Sequence, residues 1–203
     1  MMQTLDYNLK LAYVPPLEQY NGILILLREP NDPNKKTVNA YLEGNAEWFQ
    51  DVINGRPSPK YIDNKKRNKS IPRYGNRFRE MLLSIEENQH LVLCDVIYGN
   101  LSAHGGNNAV GDQYWRIKKI SRLNMILSEL TNKGYNPKNV FVCQDLFKLI
   151  VSQKDTTVYP EKGLQYNKRD KRQNVCYRNG IYYFEIIHPA RSPRIKAEEK
   201  VKI

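Results

Sequence analysis

Ile23-Leu24-Ile25-Leu26-Leu27 is an unbroken apolar run, approached through Asn21-Gly22 and stopped by the proline- and asparagine-rich Arg28-Glu29-Pro30-Asn31-Asp32-Pro33-Asn34. A strand with one wet face alternates apolar and polar residues, whereas a short continuous run suits a strand covered on both faces, as parallel sheets are. Two further runs read the same way, Leu91 to Tyr98 and Val140 to Cys143. Between them lie helical patterns. Thr37 to Ile53 carries Val38, Leu42, Trp48, Phe49, Val52 and Ile53, with Gly44-Asn45 inside it. Asn76 to Glu87 places Phe78, Met81, Leu82 and Ile85 at helical spacing. Asp112 to Lys133 aligns Trp115, Ile117, Ile120, Leu123, Ile126, Leu127 and Leu130 on one stripe, with Gly134 where a C-terminal cap belongs. A short helix follows the third strand through Phe147, Leu149 and Ile150. Last comes a hairpin, Asn174 to Arg178 and Ile181 to Ile187, joined at Asn179-Gly180, a strong two-residue turn signal. Alternation of strands and helices predicts an α/β fold, three layers α/β/α around a mostly parallel four-stranded sheet. Function in such folds collects at the C-terminal ends of the strands. Three of those ends run into unusual loops: Arg28 to Asn34, Gly99 to Asn108, and His188 to Ser192.

The chain of 203 residues is 40% hydrophobic and 26% charged, a globular composition that suits one domain over residues 1–203. No apolar run approaches the roughly 20 residues of a membrane span. The start, MMQTLDYNLKLAYVPP, lacks the basic-then-apolar pattern of a signal peptide, so a cytoplasmic protein is expected, nucleoid-associated if the source is a bacterium or a phage. Cys94, Cys143 and Cys176 are too few and too dispersed for a disulfide framework or a metal knuckle, and each suits a reduced thiol in or beside an apolar run. The informative excess is charge: 32 Lys and Arg against 21 Asp and Glu, net +11. That field favours a polyanion, nucleic acid above all, because phosphate neutralisation releases counterions. Its residues are clustered. Between positions 60 and 79 stand Lys60, Lys65, Lys66, Arg67, Lys69, Arg73, Arg77 and Arg79, opposed only by Asp63, in a basic loop insertion around 55–75. A second cluster is Lys168, Arg169, Lys171 and Arg172; the third is a basic tail around 191–203, with Arg191, Arg194, Lys196, Lys200 and Lys202.

Four pieces of the chain resemble the uracil-DNA glycosylase superfamily, closest to its mismatch-specific, thymine-DNA glycosylase-like branch. Leu27-Arg28-Glu29-Pro30-Asn31 occupies the place of the superfamily's first motif, with Leu27 where glycine is usual and Glu29 where Asp or Asn is usual. Gly75-Asn76-Arg77-Phe78-Arg79-Glu80-Met81-Leu82 is similar to the Asn-Arg-Phe helix start of the mismatch branch. Val140-Phe141-Val142-Cys143 followed by Phe147 looks like the strand-and-helix pair of the second half. His188-Pro189-Ala190-Arg191-Ser192 resembles the His/Asn-Pro-Ser/Ala motif that ends the last core strand. The four cysteines of the iron–sulfur branch are absent, so neither cluster nor metal nor other cofactor is implied.

The resemblance implies a monomeric DNA glycosylase, hydrolysing the N-glycosidic bond of a flipped-out damaged, mispaired or modified base in double- or single-stranded DNA. Bond breaking builds positive charge on the sugar and negative charge on the departing base. Glu29 and His188 are the catalytic candidates, a carboxylate to stabilise the sugar or orient water and a donor to the leaving base. Arg28, Asn31 and Asp95 are expected to contact the base; Asp95 falls near the family position that reads it through a bidentate amide. Arg73, Asn76, Arg77, Arg191 and Arg194 are expected to hold the DNA, and Tyr74 or Tyr98 could stack on the extruded base. Plainer readings stand beside these. Glu29 next to Arg28 and Lys35 also suits a surface ion pair, and His188 before proline suits a strand-end histidine bonded to a carbonyl. His90 and His104 read as a strand-start and a turn histidine, and Asp32 is the weaker alternative carboxylate. The competing functional class is a catalytically inactive nucleic-acid-binding protein of the same fold.

Overall fold

A computed structural model describes residues 4–6, 9, 11–27, 38–65, 71–72, 75–76, 78, 93–101, 112–166 and 171–186. In chain order these form β1 (Thr4–Asp6), β2 (Leu11–Val14), β3 (Ile23–Leu27), α1 (Val38–Asn54), β4 (Ile97–Asn100), α2 (Asp112–Asn132), β5 (Asn139–Cys143), α3 (Gln144–Val151), β6 (Thr157–Tyr166), β7 (Lys171–Arg178) and β8 (Ile181–Ile186). The fold is α/β, as expected. Its sheet is larger than expected, with eight strands in the order β1-β2-β4-β3-β5-β8-β7-β6. The four central strands, β4, β3, β5 and β8, are parallel; β1 and β2 extend one side antiparallel, β7 and β6 the other.

The run that opened the sequence occupies the middle of the sheet, and all five of its residues are buried. Ile23, Ile25 and Leu27 enter a core beneath α1, with Ala46, Phe49, Val52, Tyr98, Phe141 and Phe184. Leu24 and Leu26 enter the opposite core, with Leu123, Ile126 and Leu130 of α2 and Leu146, Phe147 and Ile150 of α3. Covering both faces is what removed the alternation from the sequence. Each such side chain is worth about 1.5–3 kcal/mol of transfer free energy when buried. Helix α2 stops where its glycine predicts. Gly134 takes φ 87°, its N–H donates to the Thr131 carbonyl at 2.9 Å, and the Tyr135 N–H donates to the Leu130 carbonyl at 2.9 Å. The β7–β8 turn is equally legible, because Asn179 and Gly180 both adopt positive φ, at 52° and 80°.

Three expectations need correction. The strand expected over Leu91 to Tyr98 begins only at Ile97, where it meets Leu24 of β3, and it runs on through Gly99 and Asn100. Leu93 to Asp95 forms a 3-10 turn before it, and Leu93 and Val96 are apolar because that turn also faces the α1-side core. The stretch from Arg56 to Tyr74 reads as one polar loop, yet Pro59–Tyr61 is a 3-10 turn, and Ile71 is a fully buried helical residue. The four-stranded count omitted β1, β2 and β6, and left β7, the first arm of the expected hairpin, out of the sheet that it in fact joins beside β8. Of the helix expected from Asn76 to Glu87, Asn76 and Phe78 are helical and the remainder lies outside the described residues.

Candidate functional site

Because β4, β3, β5 and β8 run in one direction, their C-terminal ends share one edge of the sheet. Register aligns the ends: Leu27 pairs with Asn100, Leu26 with Val142, and Cys143 with Ile186. The Leu101 N–H donates to the Leu27 carbonyl at 2.8 Å and carries the β3–β4 pairing one residue further. Neighbouring strands stand about 4.8 Å apart, so the ends of β3 and β8, with β5 between them, are roughly 10 Å apart. The segments that leave this edge carry Glu29, two residues after Leu27, and His188, two residues after Ile186.

Two buried polar groups belong to this edge. Asn100, 6% exposed, ends β4 on the α1 side of the sheet, two residues beyond Tyr98. Its amide type can donate to one group and accept from another at once, which is what a base edge requires. Glu185, 7% exposed, is the penultimate residue of β8 and lies on the opposite face; Asn174 Nδ2 donates to its Oε2 at 2.5 Å. On that same face Lys119 of α2 and Asp145 in the first turn of α3 form an ion pair at 2.6 Å. Burial, with Asp145 beside it, pushes the Cys143 thiol up to about 12, which leaves it protonated and unreactive at neutral pH. Among the described residues no group of three His, Cys, Asp or Glu side chains could hold a metal ion, and no helix is long and apolar enough to cross a membrane.

Most of the residues singled out in the sequence, namely Arg28, Glu29, Asn31, Arg73, Arg77, His188, Arg191 and Arg194, lie outside the described residues, as do Asp32, Tyr74, His90 and His104. Asn76 is described, helical and exposed. Asp95 is not at a strand end. It sits in the turn before β4, the length of that strand from the edge just described, where its carbonyl accepts from the Asn21 N–H at 3.2 Å. Its carboxylate accepts from the Cys94 thiol at 3.3 Å, while Tyr13 Oη donates to the Cys94 carbonyl at 2.9 Å. Tyr98, offered as a stacking residue, is 2% exposed and stacks on Phe49 instead, with ring centroids 4.0 Å apart and planes at 3°. Asn100, by contrast, reads in the sequence as the beginning of a loop. Nothing in Gly99-Asn100-Leu101 marks a strand, and its place follows only from pairing with β3. Comparison with family models, curated proteins and solved structures finds no match to this chain.

Proposed function

We propose that the protein is a DNA glycosylase of the uracil-DNA glycosylase type, releasing a damaged, mispaired or modified base by hydrolysis of its N-glycosidic bond. The observation that carries this reading is the common C-terminal edge of β3, β4 and β8. The strands preceding Glu29 and His188 end on it, roughly 10 Å apart, and the buried amide of Asn100 ends the strand beside β3. In this reading Glu29 stabilises the sugar or orients the attacking water, and His188 donates to the departing base. Asn100 takes the base-reading role that the sequence had suggested for Asp95, so a base offering both a donor and an acceptor fits. The α/β class with a parallel centre to its sheet is compatible with this reading, and the net charge of +11 supports a phosphate-rich substrate.

The second reading, a catalytically inactive nucleic-acid-binding protein of the same fold, is favoured by Leu27. Its side chain, 5% exposed, fills the α1-side end of β3, where the superfamily's first motif has glycine. One experiment separates the two. Duplex and single-stranded oligonucleotides carrying uracil, hypoxanthine, xanthine or mispaired thymine are incubated with the protein and cleaved with alkali at abasic sites. The glycosylase reading expects release from at least one substrate, abolished in Glu29→Gln and in His188→Ala with folding intact. It also expects release to fall roughly tenfold to a hundredfold in Asn100→Ala, the worth of one bidentate contact. Salt-sensitive DNA binding without release from any substrate selects the inactive reading, and wild-type rates in both Glu29→Gln and His188→Ala place the site elsewhere.

A further inference from the structure

Tyr159 of β6, Tyr177 of β7 and Tyr182 of β8 stand on one face of three neighbouring strands. Register fixes that face. Tyr177 lies opposite Tyr182, and Tyr159 lies opposite Val175, which in turn lies opposite Phe184. Directly paired residues share a side of the sheet, and Val175 and Phe184 belong to the α1-side core, so the three tyrosines are on that side. Tyr182 packs against this core, its ring centroid 4.9 Å from that of Tyr177 and 6.4 Å from that of Tyr159. Both spacings are those of rings in contact. All three side chains are half-buried, and Thr157, opposite Tyr177 on β6, is exposed. Helix α1 packs against β1 and β2, toward the other margin of the same face.

One half-buried tyrosine is ordinary packing. Three rings touching across three strands, beside a small exposed threonine, make a continuous aromatic surface that is partly open to solvent. Aromatic side chains on a sheet hold nucleic acid by stacking on its bases, which every base permits because every base has a π face. A duplex keeps those faces stacked inside, so the ligand class that fits is a single strand. Charge agrees with a polyanion. The chain carries net +11. Close to the rings, Lys138 lends its carbonyl to the Tyr182 N–H at 2.9 Å, and Arg178 follows Tyr177. Lys154 and Asp155 precede the exposed Thr157, so the described charges beside these strands are three positive against one negative.

We propose that this tyrosine face is a stacking platform for single-stranded nucleic acid, with Tyr159 and Tyr177 against the bases and Tyr182 anchoring their rings to the core. The platform shares a nucleic-acid ligand with the proposed function, but it is a separate surface with a separate readout. Tyr182 precedes Ile186 by four residues, which places it about 13 Å of strand away from the C-terminal edge. Stacking contributes affinity without reading sequence, whereas the candidate site at the other edge selects a base.

The test is equilibrium binding of the full chain to a short oligothymidylate, beside an abasic oligonucleotide of the same length and charge. Wild type should bind the oligothymidylate more tightly, because only that strand has bases to stack. Y159S/Y177S should bind it roughly tenfold or more weakly, with its salt slope unchanged because phosphate contacts remain, and should bind the abasic strand as wild type does. Y159F/Y177F keeps the rings and should stay near wild type. Should the double serine variant fail to fold, Tyr177→Ser against Tyr177→Phe gives the same comparison, with a loss of about fivefold or more. Several results overturn the platform: a wild-type chain that binds neither strand or both equally, folded serine variants with wild-type affinity, or phenylalanine variants that lose as much as the serine ones. A dimer that Y159S/Y177S dissociates, with oligothymidylate binding intact, also overturns it, in favour of a second copy of the chain on this face. If wild type releases no base from any substrate while the serine variants still weaken single-strand binding, the glycosylase reading fails and the platform stands.

Discussion

Asn174 and Glu185 show how little of a buried polar contact a single residue discloses. Each is an ordinary polar residue in its own strand, and only the β7–β8 register brings the amide to the carboxylate at 2.5 Å. A buried carboxylate that loses a donor is left with an under-solvated oxygen, a penalty of about 1–3 kcal/mol, whereas removing both partners costs far less. Asn174→Ala should therefore lower the unfolding free energy by about that amount, and N174A/E185L should recover much of it, as measured by urea denaturation. Equal losses in the two variants would mean that the pair contributes through packing alone. The same blindness at the residue scale explains the reading of Asp95. A carboxylate following an apolar run suggests a strand end, and the pairing of Ile97 with Leu24, which decides where the strand begins, is invisible from Leu91 to Tyr98 alone.

At the scale of elements, β4 is held by a contact that its composition conceals. Gly99 lies opposite Leu11 of β2, and a Cβ placed on it would come within 2.6 Å of Leu11 Cδ2 and 3.4 Å of Leu11 Cα. Glycine is there because two strands meet closely, although locally it reads as a loop signal. Gly99→Val should cost about 1–3 kcal/mol through overpacking, visible as a lower thermal midpoint, and Leu11→Ala in the same chain should relieve part of the clash. Elements with a strong local cause were legible: the doubly covered β3, the striped α2 with its glycine cap, and the Asn-Gly turn between β7 and β8. Those defined by tertiary pairing were not. β6 carries Pro160 and Gly163 inside it, and both argue against a strand unless a bulge absorbs them. Of the candidate site, the strands that lead to Glu29 and His188 were legible, since continuous apolar runs betray them. Asn100 was not, because its place at a strand end comes only from the pairing of β4 with β3.

For the whole molecule, burial ties stability to alkaline pH. Burial raises the Cys143 and Cys176 thiols from an ordinary value of 9.0 to about 12, Asp145 assisting at Cys143, and burial raises the Tyr183 phenol from 10.0 to about 12. These groups hold their protons more tightly in the folded chain than in the unfolded one. Their contribution is thus fully present below about pH 9 and is lost as the pH rises toward 12. The urea midpoint should fall between about pH 8 and about pH 10.5, and Cys176→Val should flatten that fall; a midpoint independent of pH would contradict it. Lys133, just after α2, and Arg122 within it fasten the β1–β2 margin of the sheet, pairing with Asp6 and with the Leu9 carbonyl. That margin and its opposite share a further property. A β-sheet recruits another chain wherever an outer strand offers a straight seam of open N–H and C=O groups. β1 has only three residues with irregular register, and β6 is split by its bulge into in-register segments of three, Thr157 to Tyr159 and Leu164 to Tyr166, with a proline between that has no N–H to offer. The bulge that interrupts β6 therefore denies a second molecule a template, leaving the sheet poorly suited to fibril growth from either described margin.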